Sequence, residues 1–368
     1  MLPTLHDIEA AAAIVHDAMP ATPQYSWPLL DAALGTAVWV KHENHTPVGA
    51  FKVRGGLVYV EKLLARAPRV PGLITATRGN HGQSLAFATR RHGLPLTIVV
   101  PHGNSVEKNA AMRALGATLI EHGDDFQAAR EHAMLLAEGD GLHMVPSFHA
   151  DLVAGVATGW LELLRARPEI GTLFVALGQG SGFAGALAAR EALGHQARIV
   201  GVVAQNAPAY LLSWQQRRAV TAPVVDTIAD GLACRVPDPA SLALLLAHAD
   251  DVVAVSEAEV AAAMRLYYTA THNVAEGAGA AALAAALQLK DDSRVRNATV
   301  GLQLSGSNVD AAVLARVLAE GTPADAAVLT RVLAEGTPAD AAVLTRVLAE
   351  GTPADAAVLT RVLAEGTP

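Results

Sequence analysis

The stretch His45-Thr46-Pro47-Val48-Gly49-Ala50-Phe51-Lys52-Val53-Arg54-Gly55-Gly56 decides how this chain is read. A solitary lysine is normally a solvated surface charge. Lys52 instead sits between an aromatic residue and two glycines that read as a turn, downstream of the apolar run 37–40 and of Lys41-His42-Glu43. Apolar surroundings strip water from an ammonium group, lower its pKa and leave a free amine to act as nucleophile or base. A Schiff-base lysine needs those properties.

Working outward, residues 5–18 predict an amphipathic helix with Thr4 as N-cap, ended by Thr22-Pro23. Residues 37–40 read as a strand into the lysine segment, and a helix from 57 stops near Pro68 and Pro71. Strands are then expected at 72–76, 96–100, 118–121, 172–177 and 198–204. They alternate with helices at 83–91, 106–115, 126–138 and 185–192. Such alternation predicts an α/β fold of two open sheets with parallel strands flanked by helices. Ligands in such sheets bind where a strand gives way to a Gly-rich turn and a helix.

Three places meet that description. Thr75-Ala76-Thr77-Arg78-Gly79-Asn80-His81-Gly82-Gln83 follows a strand, and its glycines and helix start suit an anion, although many polar turns look alike. Leu177-Gly178-Gln179-Gly180-Ser181-Gly182-Phe183-Ala184-Gly185 can form a concave array of N–H groups around a phosphate, with Ser181 adding a hydroxyl. A dinucleotide site is the competing reading, but the loop lies late in the chain and lacks an acidic partner after the next strand. The third is Gly301-Leu302-Gln303-Leu304-Ser305-Gly306-Ser307-Asn308-Val309-Asp310, where Ser305 alone would be an ordinary strand-end residue.

In this order, with KHENHTPVGAFKVRGG at the front, the three motifs resemble the fold type II pyridoxal-phosphate enzymes of the serine/threonine dehydratase and serine racemase family. The resemblance covers roughly residues 4–318. It implies that Lys52, next to Phe51, carries pyridoxal 5'-phosphate, and that Gly178, Gln179, Gly180, Ser181 and Gly182 hold its phosphate. Ser305 would meet the ring nitrogen, Asn80 the ring hydroxyl, and Glu276 would lie beside the ring; a solvated loop acid is the alternative for Glu276. The substrate carboxylate is expected at Thr77, Arg78, Asn80 and His81. Thr77 and Arg78 stand where relatives carry two serines. In racemases the second of these is an acid–base group, and an arginine does not exchange protons at working pH, so two-base racemisation should be lost.

Relatives that bind an activating cation carry carboxylates after a strand. Here Ala204-Gln205-Asn206-Ala207-Pro208-Ala209-Tyr210-Leu211 supplies none, so no metal is expected. His42, His45, His143 and His149 lack metal-ligand spacing, and Asp124-Asp125 reads as a helix start.

At 368 residues, 52% of them hydrophobic, the chain is long enough for two lobes. These are expected at 1–70 with 148–320, the large cofactor-binding lobe, and 71–147, a small mobile one. A net charge of −8 argues against nucleic acid as a partner, and no stretch reads as a membrane span or signal peptide. Cys234, the single cysteine, reads as a core residue. The expectation is a cytoplasmic homodimer acting on a small amino acid.

After the core comes a 15-residue repeat, GTPADAAVLTRVLAE, at 321–335, 336–350 and 351–365, with 310–320 as an imperfect first copy. Each unit encodes a short helix with Thr as N-cap, Pro at the first position and Gly as stop. Its apolar stripe is narrow, so a duplication of the last helix is favoured over an interaction tail.

The expected reaction is β-elimination of water from a 3-hydroxy amino acid, giving a 2-oxo acid and ammonia. Serine, threonine, phenylserine-like and 3-hydroxyaspartate-like substrates all remain open. Racemisation or β-replacement on the same scaffold is the enzymatic alternative, and a vestigial core carrying a functional repeat tail the non-enzymatic one.

Overall fold

The computed structural model describes residues 2–223 and 226–320. The three full repeats from 321 onward lie outside them. The chain divides into two compact units, Met1–Leu314 and Ala315–Pro368, and the sheets and cavities described below belong to the first.

Ten strands occur among the described residues: β1 (Gln24–Ser26), β2 (Val38–His42), β3 (Leu73–Ala76), β4 (Leu96–Val100), β5 (Thr118–Glu121), β6 (His143–Met144), β7 (Ile170–Ala176), β8 (Arg198–Ala204), β9 (Asp251–Val255) and β10 (Thr299–Leu304). They form a six-stranded sheet in the order β1-β2-β10-β7-β8-β9 and a four-stranded sheet in the order β5-β4-β3-β6. β1 runs antiparallel to β2, and every other pairing is parallel. Strands covered on both faces need apolar side chains throughout, and in β8 every residue after Arg198 is buried.

The helix Leu5–Ala18 begins at a reciprocal cap. The Thr4 hydroxyl accepts from the Asp7 N–H at 3.3 Å, and the Asp7 carboxylate accepts from the Thr4 N–H at 2.9 Å. Its buried face is Ile8, Ala11 and Val15, at helical spacing. No described helix is long and apolar enough to cross a membrane.

Two readings of the sequence need correction. Gly55-Gly56 is not a turn, because the helix spans Lys52–Arg66 and contains both glycines. A Cβ on Gly55 would lie 2.9 Å from the Leu152 carbonyl oxygen, and one on Gly155 would overlap the Arg54 carbonyl. Gly55 and Gly155 therefore let this helix touch the helix Ala150–Ala166 backbone to backbone, and Gly56 lets it approach Ser84; these contacts outweigh the low helix propensity of glycine. The helix after β3 likewise spans Asn80–Arg90, so it starts three residues before Gln83. Ala150–Ala166 gave no signal of its own. It is buried on nearly every face, so it lacks the polar stripe that marks a surface helix.

Candidate active site

β2, β10 and β7 are neighbours and parallel, so their C-terminal ends lie side by side. β2 leads to the Lys52 segment, β10 ends at Ser305, and β7 opens into the glycine loop and the helix Ser181–Leu193. The lysine segment and the second and third motifs, spread over some 250 residues of chain, are thereby gathered at the C-terminal end of one sheet. Local contacts fix them: the Phe51 N–H donates to the Ser305 carbonyl at 2.9 Å, and Ala50 bridges Gly306. The Phe51 ring also lies 3.4 Å from where a Cβ on Gly182 would stand. β3, in the other sheet, delivers Thr77 through His81 at the start of the Asn80 helix.

A cavity of about 100 Å³ opens between these ends. Lys52, Thr77, Arg78, Asn80, His81, Gln179 and Ser181 line it, so most of the residues singled out in the sequence share one space. Phe51, Gly178, Gly180, Gly182, Glu276 and Ser305 are not among its lining residues. Thr77 accepts the Gly79 N–H at 3.0 Å, which shapes the turn. Arg78 is exposed at the mouth.

Lys52 is half-buried, with Nζ 4.6 Å from the Phe51 ring centroid. Burial pulls its pKa down to about 8, against a smaller upward pull from Glu276. His81 is held neutral, pushed down to about 3 by burial and then by Lys52, and its Nε2 is buried with no hydrogen-bond partner among the described residues. Glu276 is no solvated loop acid: it is buried, and Asn80 Nδ2 donates to its Oε1 at 2.5 Å. Burial lifts Glu276 to about 7, with Lys108 pulling down and Asp230 pushing up.

Lys108 and Asp230 carry no motif of their own and were missed in the sequence. Both line the cavity, with Lys108 Nζ 2.6 Å from Asp230 and 3.6 Å from Glu276. Burial opposes the Lys108 charge, but Glu276 and Asp230 hold its pKa up. Asn308 was quoted only as part of a string. Its amide joins Val48 O at 2.8 Å to Asn80 Oδ1 at 2.9 Å, linking the third motif to the first. Cys234 lies behind Gln179 with its thiol pushed by burial up to about 12, an inert core group.

Residues 15–306 match the family model described as pyridoxal-phosphate dependent enzyme. The chain belongs to the pyridoxal-phosphate dependent enzyme family. A relative named L-threonine ammonia-lyase, from Thermotoga maritima, is 31% identical over 86% of this chain and 79% of its own. An L-threo-3-hydroxyaspartate ammonia-lyase from a Pseudomonas species is also 31% identical, over 86% of this chain and 99% of its own. Among solved structures, a pyridoxal 5'-phosphate-dependent aspartate racemase superposes with a TM-score of 0.80 at 27% identity, covering 84% of this chain and 97% of that one.

The residues present fit the cofactor of this pyridoxal-phosphate dependent family. Gly180 takes φ 93°, a left-handed conformation that favours glycine, and a Cβ there would overlap the Ser241 side chain. A Cβ on Gly178 would overlap the Gly231 carbonyl. The loop therefore stays bare, presenting the first N–H groups of the Ser181 helix, which have no partner within the helix, beside the Ser181 hydroxyl. Among the described residues no group of three or more His, Cys, Asp or Glu is placed to hold a metal ion.

Proposed function

We propose that this enzyme eliminates water from a 3-hydroxy amino acid, releasing a 2-oxo acid and ammonia. One observation carries the reading: a half-buried lysine amine at about 8 shares a cavity with a glycine-cradled helix start and a second helix start. The names of relatives from Thermotoga and Pseudomonas support it.

In this reading Lys52 holds the cofactor, the N–H groups of residues 178–182 and the Ser181 hydroxyl hold its phosphate, and Ser305 and Asn80 hold its ring nitrogen and ring hydroxyl. The bound group supplies an electron sink beside the α-carbon. The backbone turn from Thr77 to His81 receives the α-carboxylate at the positive end of the Asn80 helix. Lys52 Nζ removes the α-proton, and a pKa near 8 keeps a useful share of the amine free at neutral pH. Neutral His81 adds no positive charge that would tie up the carboxylate or repel the Lys52 ammonium. Glu276 fixes the Asn80 amide.

Racemisation is the second reading, favoured by the likeness to an aspartate racemase. Arg78 argues against it, because a guanidinium cannot serve as the opposing acid–base group. A screen of 3-hydroxy amino acids for oxo acid and ammonia, with chiral analysis of the remaining amino acid, separates the two. Oxo acid without inversion supports elimination. Inversion without oxo acid overturns it.

The strands β3–β6 and their helices, within 71–147, would form a small lobe that closes over the substrate. A cytoplasmic homodimer completes the proposal. The exposed Tyr25, Leu29 and Tyr268, on or beside the packed helices Pro28–Leu34 and Glu257–Thr271, support a self-association surface. The net charge of −8 supports a protein that does not bind nucleic acid.

A further inference from the structure

The Lys52 cavity continues outward. A second cavity of about 220 Å³ shares Arg78, Phe126, Ser147, Gln179 and Ala233 with it, so the two abut through a common neck. The charged residues lining the outer cavity are Arg78, Arg130 and Arg235 against Asp125 and Asp238, leaving one positive charge in excess.

Both acids are committed. Asp125 takes Arg235 at 2.5 Å and caps the helix Phe126–Asp140 by accepting the Ala128 N–H at 2.8 Å. Asp238 accepts the N–H groups of Ala240 and Ser241 at 2.9 and 3.0 Å. Arg78 and Arg130 have no carboxylate partner among the described residues. Both are exposed at the cavity wall, and an anion in the cavity would meet two guanidinium groups that no carboxylate neutralises. Each also presents a planar fork matched to a carboxylate.

The α-carboxylate has its own place at the Asn80 helix start in the inner cavity, and the inner walls beside Lys52 are closed by Gly55, Leu152 and Val156. Past Arg78 and the shared neck, the outer cavity gives a substrate side chain room to extend.

We infer that the outer cavity receives the substrate side chain, and that Arg78 and Arg130 select a 3-hydroxy amino acid whose side chain ends in a carboxylate. This rests on the dehydratase reading and gives it a substrate class. The chemistry balances without further reactants. Lys52 Nζ takes the α-proton, and an equal proton passes to the departing hydroxyl as the Cβ–O bond breaks, so that water leaves. After the enamine gains its N–H proton at Cβ, one water hydrolyses it to the oxo acid and ammonia. The distal carboxylate is unchanged and serves only for recognition.

The test uses the cofactor-loaded enzyme and two kinds of probe. Titration calorimetry compares malonate, succinate and glutarate with acetate, propionate and butyrate. Charge-assisted hydrogen bonds should make the dicarboxylates bind about 10- to 100-fold more tightly than monocarboxylates, and Arg78→Met and Arg130→Met should each erode that preference. Equal binding of the two series, or a preference that survives in both variants, overturns the inference. In turnover, kcat/KM should be higher for 3-hydroxyaspartate and 3-hydroxyglutamate than for serine and threonine, and the gap should narrow in Arg78→Met. A wild type that favours serine or threonine sinks the inference and leaves the dehydratase reading standing. A dicarboxylate preference that both arginine variants lose, in an enzyme that dehydrates no hydroxy amino acid, keeps the anion site and sinks the dehydratase reading.

Discussion

Lys52 shows at the scale of one side chain how a surface-type residue becomes reactive. Burial removes water from the amine, and Glu276 returns only part of the stabilisation of its charge. Borohydride should fix the cofactor irreversibly on the peptide carrying Lys52, as read by peptide mass, and Lys52→Ala should lose both that adduct and turnover. An adduct and full turnover in Lys52→Ala would overturn the assignment. His42, ten residues earlier, is a histidine whose titration bears on stability. It is fully buried, and its Nε2 accepts from the Trp27 indole N–H at 3.0 Å. Burial, and then His45, hold its pKa at about 4 against an ordinary 6.5. Below pH 6.5 the unfolded chain takes up a proton that the folded protein refuses, so stability falls as pH drops through the window from about 6.5 to about 4. Urea unfolding should show wild type losing up to about 1.4 kcal/mol per pH unit more than His42→Gln across that window. Parallel curves for the two proteins would show that His42 does not titrate this way.

At the scale of elements, the Lys52 helix is set by a buried charge network two residues along. Arg54, fully buried, reaches Glu43 at 2.8 Å and Glu162 at 2.7 Å and donates to Thr158 at 2.9 Å, while Lys41 meets Glu162 at 2.5 Å. Burial alone would raise Glu162, but Arg54 and Lys41 hold it down at about 2. These groups come from β2, the turn after it and two helices, so the network fixes the Lys52 helix against its neighbours. Arg54→Ala leaves Glu43 buried without its cation and should cost about 3–5 kcal/mol in urea unfolding. A loss below about 1 kcal/mol would mean that relaxation or water replaces the guanidinium. The same helix marks where sequence reading stops. Strands 96–100, 118–121 and 198–204 were legible to the residue because β-branched runs between turn residues carry their own signal. Gly55-Gly56 reads as a turn because glycine speaks equally for a turn and for close packing, and only the neighbours, Leu152 at Gly55 and Ser84 at Gly56, decide. Lys108 and Asp230, over a hundred residues apart, form a pair that no local pattern announces. The motifs themselves were legible, yet the meeting of the lysine segment, the glycine loop and Ser305 depends on β10 lying between β2 and β7, which is a property of the sheet.

At the scale of the whole molecule, elements around the four-stranded sheet are tied to segments around the six-stranded one by polar side chains. Lys108 meets Asp230, Asn80 meets Glu276 and Asn308, the Ser105 hydroxyl donates to Asp310, and Glu107 accepts the Ala311 N–H at 2.9 Å. These ties lie within residues 80–311, so a stop after Glu320 leaves them intact and should keep turnover within a few-fold; a folded, cofactor-loaded but inactive truncation would give the tail a role. Several of these ties are partly exposed, while a buried apolar core that joins Val53 and Leu57 to Leu85 and Ile98 holds the other side of the same contact. We predict that they latch the residues 71–147 over the bound substrate. Asp310→Ala tests this from outside the cavity, which Asp310 does not line, although its charge is one of those that hold Lys108 protonated. Losing that acceptor should favour the open arrangement, raising KM several-fold while changing kcat less, and should speed amide exchange in the helices Asn80–Arg90 and Val106–Ala114. Lys108→Met removes the inner tie and leaves Asp230 and Glu276 facing each other, so it should lower kcat as well as raise KM. Unchanged KM and unchanged exchange in Asp310→Ala would show that the two sheets are held by their apolar packing and that no latch operates at this end.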